Sequence, residues 1–121
     1  MMNRKYDLEE RLIAFAVRIV TLVESLPNNK ASTHLGNQLL RSGTSPSLLY
    51  GEAQGAESRK DFTHKLGIIL KELRETSINI RILQHLSYCQ HEDILNETKE
   101  LIAIFTKSLI TTRQNTQKRN H

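Results

Sequence analysis

Six side chains, Lys60, His64, Lys71, Arg74, Arg81 and His85, recur at spacings of three, four or seven residues. In a helix that spacing puts them on one face, where cations could meet nucleic-acid phosphates electrostatically. Glu75, four residues after Lys71, partly neutralises the strip. No aromatic side chain interleaves with these cations, so the face gives base stacking no support. Three more cations, Arg113, Lys118 and Arg119, stand in the polar end of the chain. An ordinary solvated helix surface has much the same composition, so nucleic-acid contact stands beside a plain surface as a reading of these residues.

Other chemistry finds less. A di-iron centre in a helical bundle takes Glu-x-x-His pairs facing inward. No histidine here has a glutamate three positions before it, and the nearest match, Asp61 with His64, lies off the apolar seam. His91-Glu92 is not a zinc-protease motif, because Leu95 stands where the second histidine belongs. Cys89 has His85 and His91 within a few residues, but a lone cysteine in a loop is far more often incidental than catalytic. Gly51-x-x-x-Gly55 lacks the following Lys-Ser/Thr of a phosphate loop and reads as a helix-packing feature. The expectation is no catalytic residue, no metal and no cofactor.

The elements that must position the basic face come from hydrophobic periodicity. Leu8, Leu12, Phe15, Ile19, Leu22 and Leu26 alternate spacings of four and three, the seam of an amphipathic helix that Pro27 ends. Leu35, Leu39, Ser42, Pro46, Leu49, Ala53 and Ala56 continue the pattern in a second helix. Pro46 lacks an N–H and clashes with the carbonyl of Ser42. Ser45 could therefore cap a new helix there, or one helix could kink at Pro46 with nearby hydroxyls satisfying the freed carbonyl. The period stays in phase through Pro46, which favours the kinked single helix. Ser58 and Asp61 resemble a capping box opening a third helix with Phe62, Leu66, Ile69, Leu73, Thr76, Ile80 and Leu83. A loop near Tyr88–His91 leads to a fourth, with Ile94, Leu95, Leu101, Ile102, Phe105 and Leu109.

Four such helices, each about 30 Å long, with short connections imply an all-α, antiparallel up-down-up-down four-helix bundle with its second helix kinked near Pro46. The bundle is expected over residues 1–112, with a disordered basic tail over 113–121. From Leu39 to Ala56 only Arg41 and Glu52 carry charge, and each is expected to find a partner on another helix or subunit. Gly43, Ser47, Gly51 and Gly55 recur every fourth residue as a ridge with little side chain, suited to close helix packing or an oligomer contact. Surplus apolar residues, Ile13, Val17 and Val20 on the first helix and Leu40 and Leu48 on the second, also predict self-association.

Composition agrees with a single helical domain: 121 residues, 38% hydrophobic but only 5% aromatic, with two prolines and five glycines. The net charge of +4 is unevenly spread. Asp7–Leu26 is net acidic and Ser58–Ser87 net basic, so positive charge gathers on the third helix and the tail. One cysteine precludes an internal disulfide. With no signal-peptide pattern and no apolar run long enough to span a bilayer, a cytoplasmic protein of bacterial type without a membrane partner is expected.

Leu26-Pro27-Asn28, the run Gln38–Phe62 (QLLRSGTSPSLLYGEAQGAESRKDF) and Leu70–Thr76 (LKELRET) resemble the 23S rRNA intervening-sequence protein family over about Phe15 to Tyr88. The chain departs from that pattern at Pro46, where an apolar residue is usual, and at Leu49, where Asn is usual. The resemblance implies a four-helix protomer assembling into a homopentameric ring, without implying an activity. It extends to the accessory protein of diversity-generating retroelements, a similar basic bundle that binds reverse transcriptase and nucleic acid. The expected function is thus a non-enzymatic homo-oligomer binding RNA or DNA through Lys60, Lys71, Arg74, Arg81, Arg113, Lys118 and Arg119. The alternative is a scaffold for a protein partner with no nucleic-acid contact.

Overall fold

The computed structural model describes residues 4–119, with side-chain burial described for 8–115. Four helices account for nearly all of them: α1 (Arg4–Glu24), α2 (Lys30–Gln54), α3 (Arg59–His85) and α4 (Glu92–Arg119). Each packs on its chain neighbours, and α4 returns to α1, so the four form a closed antiparallel bundle. The α1–α4 seam is the most widely spaced of the four. It is laced by charge: Arg11 grips Glu97 with two hydrogen bonds of 2.8 and 2.7 Å, and Arg18 reaches Asp93 at 2.9 Å.

The seams read from spacing form the core. Leu12, Phe15, Ile19 and Leu22 of α1 meet Leu39, Tyr50 and Ala53 of α2 inside the bundle. Leu66, Ile69, Leu73, Ile80 and Leu83 of α3 and Leu101, Phe105 and Leu109 of α4 complete it. Each fully buried side chain of this size contributes roughly 1.5–3 kcal/mol by leaving water. Polar members of the seams find partners close by. Thr76 Oγ1 lies 2.9 Å from both the Ser42 hydroxyl and the Glu72 carbonyl. A hydroxyl has one proton, so Thr76 donates to the carbonyl and accepts from Ser42.

The helix starts are set by caps. Asn29 Oδ1 accepts from Ser32 N at 2.8 Å, and Ser58 Oγ accepts from Asp61 N at 3.0 Å. The Asp61 carboxylate faces Lys65, 3.7 Å away. α3 ends in a Schellman motif, with Tyr88 N donating to the Leu83 carbonyl and Ser87 N to that of Gln84, both at 2.9 Å. Ser87 occupies the left-handed position, at φ 60°, that glycine usually fills.

α2 is one unbroken helix with Pro46 inside it, so the capped break at Ser45 is not adopted. The neighbouring hydroxyls do not rescue the Ser42 carbonyl. Thr44, Ser45 and Ser47 donate instead to the carbonyls of Leu40, Arg41 and Thr44. At the other end of the chain, α4 outlasts its apolar seam and stays helical to Arg119, where a tail was expected from residue 113. Extending an existing helix costs little once it is nucleated, and Arg, Gln and Lys are good helix formers.

Candidate nucleic-acid interface

The outward strip of α3 carries Lys60, His64, Lys71, Arg74, Arg81 and His85, all exposed. Their shared face follows from the apolar seam, which turns the opposite side of the helix inward. The fate of the nearby carboxylates was not legible from α3 alone. Arg41 of α2 crosses to it, its Nη1 bonding Glu72 and its Nη2 bonding Glu75, both at 2.8 Å. Those two acids hold the Arg41 guanidinium above its ordinary pKa, chiefly through the Glu75 hydrogen bond. Glu75 is thereby drawn away from Lys71. Glu52 of α2 and Asp61 both lie near Lys65 instead, at 3.8 and 3.7 Å. Lys60, Lys71, Arg74 and Arg81 form no ion pair among the described residues.

The strip is not purely basic. Ile78 and Ile82 stand among its cations, 52% and 42% exposed, and Leu86 follows one turn later. Their i, i+4, i+8 spacing off the Phe62–Leu83 seam was the signal in the sequence, and it was missed. Beside them a cavity of about 700 Å³ runs between α2 and α3, lined by Leu35, Gln38, Arg41, Lys71, Arg74, Glu75, Ile78, Asn79 and Ile82, with Ser42 below. Asn79 donates to the Leu35 carbonyl at 3.1 Å, while its buried Oδ1 has no partner. Of the remaining cations, Arg113 is exposed on α4. The side chains of Lys118 and Arg119 lie outside the described residues.

The small-residue ridge of α2 divides by position. Gly43 is buried against α1, where a Cβ would fall 2.7 Å from Ile19 Cγ2. Ser47 is half-buried, and Gly51 faces open space with no atom within 4 Å. Gly55 lies beyond the last turn, its N–H bonding the Glu52 carbonyl at 3.1 Å. Arg41 and Glu52 both find their partners on α3 of the same chain. The surplus apolar residues of α1 and α2 are largely exposed: Leu48 at 71%, Val17 at 60%, Ile13 at 45% and Leu40 at 37%, with Val20 half-buried.

Burial pushes the Cys89 thiol up, with a backbone hydrogen bond from His91 pulling the other way, and so disfavours the thiolate a nucleophile needs. Among the described residues no group of three His, Cys, Asp or Glu is placed to hold a metal ion. None of their helices is long and apolar enough to cross a membrane.

The profile of the 23S rRNA-intervening sequence protein family matches residues 4–110, the whole bundle short of the end of α4. The chain belongs to this family. A solved structure agrees: a protein of unknown function from the S23 ribosomal protein family of Bacteroides thetaiotaomicron is 34% identical. It superposes with a TM-score of 0.81 over 88% of this chain and 98% of its own. No curated protein matches. Pro46 and Leu49 sit nearly one turn apart on α2, Pro46 buried in the helix interior and Leu49 half-buried against the core.

Proposed function

We propose that this family member is a non-enzymatic, self-associating bundle that binds RNA or DNA through the α3 cations of its assembled copies. The observation that carries the reading is that Lys60, Lys71, Arg74 and Arg81 form no ion pair among the described residues, Glu75 being held by Arg41 rather than by Lys71. Free exposed cations release counterions when they meet phosphates, and that release drives sequence-tolerant binding. Four cations give one protomer a weak hold. Copies in a ring multiply the contacts and raise the effective concentration of each after the first. The exposed Ile13, Val17, Leu40 and Leu48 support such assembly, a five-membered ring being the form the family resemblance implies. Arg113, Lys118 and Arg119 add further positive charge near the end of the chain. A single buried cysteine suits the cytoplasm.

The test is fluorescence anisotropy with short RNA and DNA at two salt concentrations, on wild type and on a Lys71→Glu/Arg74→Glu variant of unchanged oligomeric state. Binding should weaken steeply with salt, and the variant should lose affinity together with about two units of salt slope for each copy in contact. Equal binding by both proteins, or indifference to salt, would favour a protein-interaction scaffold. That second reading draws on Ile78 and Ile82, whose exposed side chains among cations suit an acidic amphipathic partner.

A further inference from the structure

α1 and α3 are diagonal across the bundle rather than neighbours. Each turns one seam to the core, so their outer faces point in opposite directions. Both outer faces carry an exposed apolar pair. Ile13 and Val17 lie four residues apart on α1, and Ile78 and Ile82 do the same on α3, with Leu86 one turn further. Residues four apart form the ridges by which helices most commonly interlock.

The charge left on the two faces is opposite in sign. The cations of α1 are turned to α4, Arg11 to Glu97 and Arg18 to Asp93. Glu10 and Glu24, which bracket Ile13 and Val17, are exposed and form no ion pair among the described residues. On α3 the reverse holds. Arg41 takes both Glu72 and Glu75. Arg81, three residues after Ile78 and next to Ile82, is exposed and forms no ion pair among the described residues. One face is therefore apolar with acidic ends, and the other is apolar with a basic flank.

Two α1 faces brought together would set glutamate against glutamate, and two α3 faces arginine against arginine. Like charges across a contact are costly. Leu40 and Leu48 of α2 offer Arg81 no free acid, since Glu52 lies near Lys65. An α1 face on an α3 face joins the apolar pairs and matches the charges. We propose that the outer face of α1 in one copy, Glu10, Ile13 and Val17, docks on the outer face of α3 in a second copy, Ile78, Arg81 and Ile82. Because the two faces point apart on each protomer, the contact is heterologous. Every copy has one of each to offer, so copies add head to tail until a ring closes. The contact falls on the last turns of α3, beyond Lys60, Lys71 and Arg74, which stay available to phosphates. The inference rests on the self-association in the reading above and names the surfaces that carry it.

Sedimentation velocity on the full chain at micromolar concentration, without nucleic acid, tests the contact. Wild type should associate. Val17→Lys sets a cation against Arg81 and Ile82→Glu sets an acid against Glu10, so each alone should weaken association about a hundredfold. Both positions are exposed, so circular dichroism should show both variants folded. An equal mixture of the two should associate again, since each supplies the intact face that the other lacks and the two altered faces also attract. A contact between like faces predicts otherwise, because one of the two variants would then associate by itself. A mixture that stays monomeric, or wild-type association in either variant alone, would overturn the contact and leave assembly through other surfaces standing. A wild type that stays monomeric would overturn the contact and the assembly together, and would pass the α3 face to an acidic helix of another protein. Association as described without any oligonucleotide binding would keep the contact and remove the nucleic-acid reading.

Discussion

Gly43 and Gly51 lie two turns apart on α2, and alanine should act oppositely at the two. At Gly43 the new Cβ would fall 2.7 and 2.8 Å from Ile19 Cγ2 and Cγ1 and 3.1 Å from its Cβ. Ile19 is fully buried, and a β-branched side chain in a helix has essentially one rotamer, so it cannot swing aside. Restoring carbon contacts to about 3.5 Å requires α1 and α2 to part by just under 1 Å. Overpacking of this kind costs about 1–3 kcal/mol, against a gain of about 1 kcal/mol in helix propensity. The net is a loss of about 0–2 kcal/mol, or roughly up to 10 °C in Tm for a domain of this size. At Gly51 no atom lies within 4 Å, so the propensity gain of about 1 kcal/mol stands alone and Tm should rise by a few degrees. Thermal melts followed by circular dichroism at one dilute protein concentration compare the two, since assembly would make Tm depend on concentration. A Gly43→Ala protein more stable than wild type, or both variants moving the same way, would refute the packing argument.

Ser87→Gly should stabilise the fold by about 0.5–1 kcal/mol, because the residue already holds the left-handed conformation glycine adopts without strain; urea titration measures it. Arg41→Ala leaves the Glu72 carboxylate, whose side chain is 7% exposed, without its cation. It should cost about 1–3 kcal/mol in the same assay, and adding Glu72→Gln should recover part of the loss. Cys89 should resist thiol-reactive reagents in the native protein and react readily in denaturant. Because the folded state holds the thiol proton more tightly than the unfolded chain, its contribution to stability is full below the ordinary thiol value of 9.0 and fades as pH rises through the raised folded value. A melt series from pH 8 to 10.5 on wild type and Cys89→Ser should show wild type losing its advantage at the alkaline end.

Periodicity carried most of the architecture. The Leu12–Leu22 and Phe62–Leu83 seams are the core stripes of α1 and α3, because a three-four alternation can bury only one side of a helix. Pro46 was ambiguous because its local penalty opposed the in-phase pattern on both sides, and burial within the bundle settled it for a continuous helix. The basic strip was legible for the same reason as the seams. Its free charge was not, because that depends on Arg41 arriving from another helix. The end of α4 ran against expectation because apolar spacing tracks burial, and a solvated helix extension needs none.

The wide seam between α1 and α4 bears on the order in which the bundle comes together and opens. Three of its four contacts join helices adjacent in the chain, so they close over short loops at small entropic cost. Docking α1 onto α4 is the one long-range closure. Ion pairs such as Arg18 with Asp93 guide it, and dissolved salt screens such exposed pairs. α1 and α4 are alike here, each held chiefly by its neighbour in the chain, α1 by α2 and α4 by α3. The bundle therefore parts first along this seam, and parts more readily as ionic strength rises.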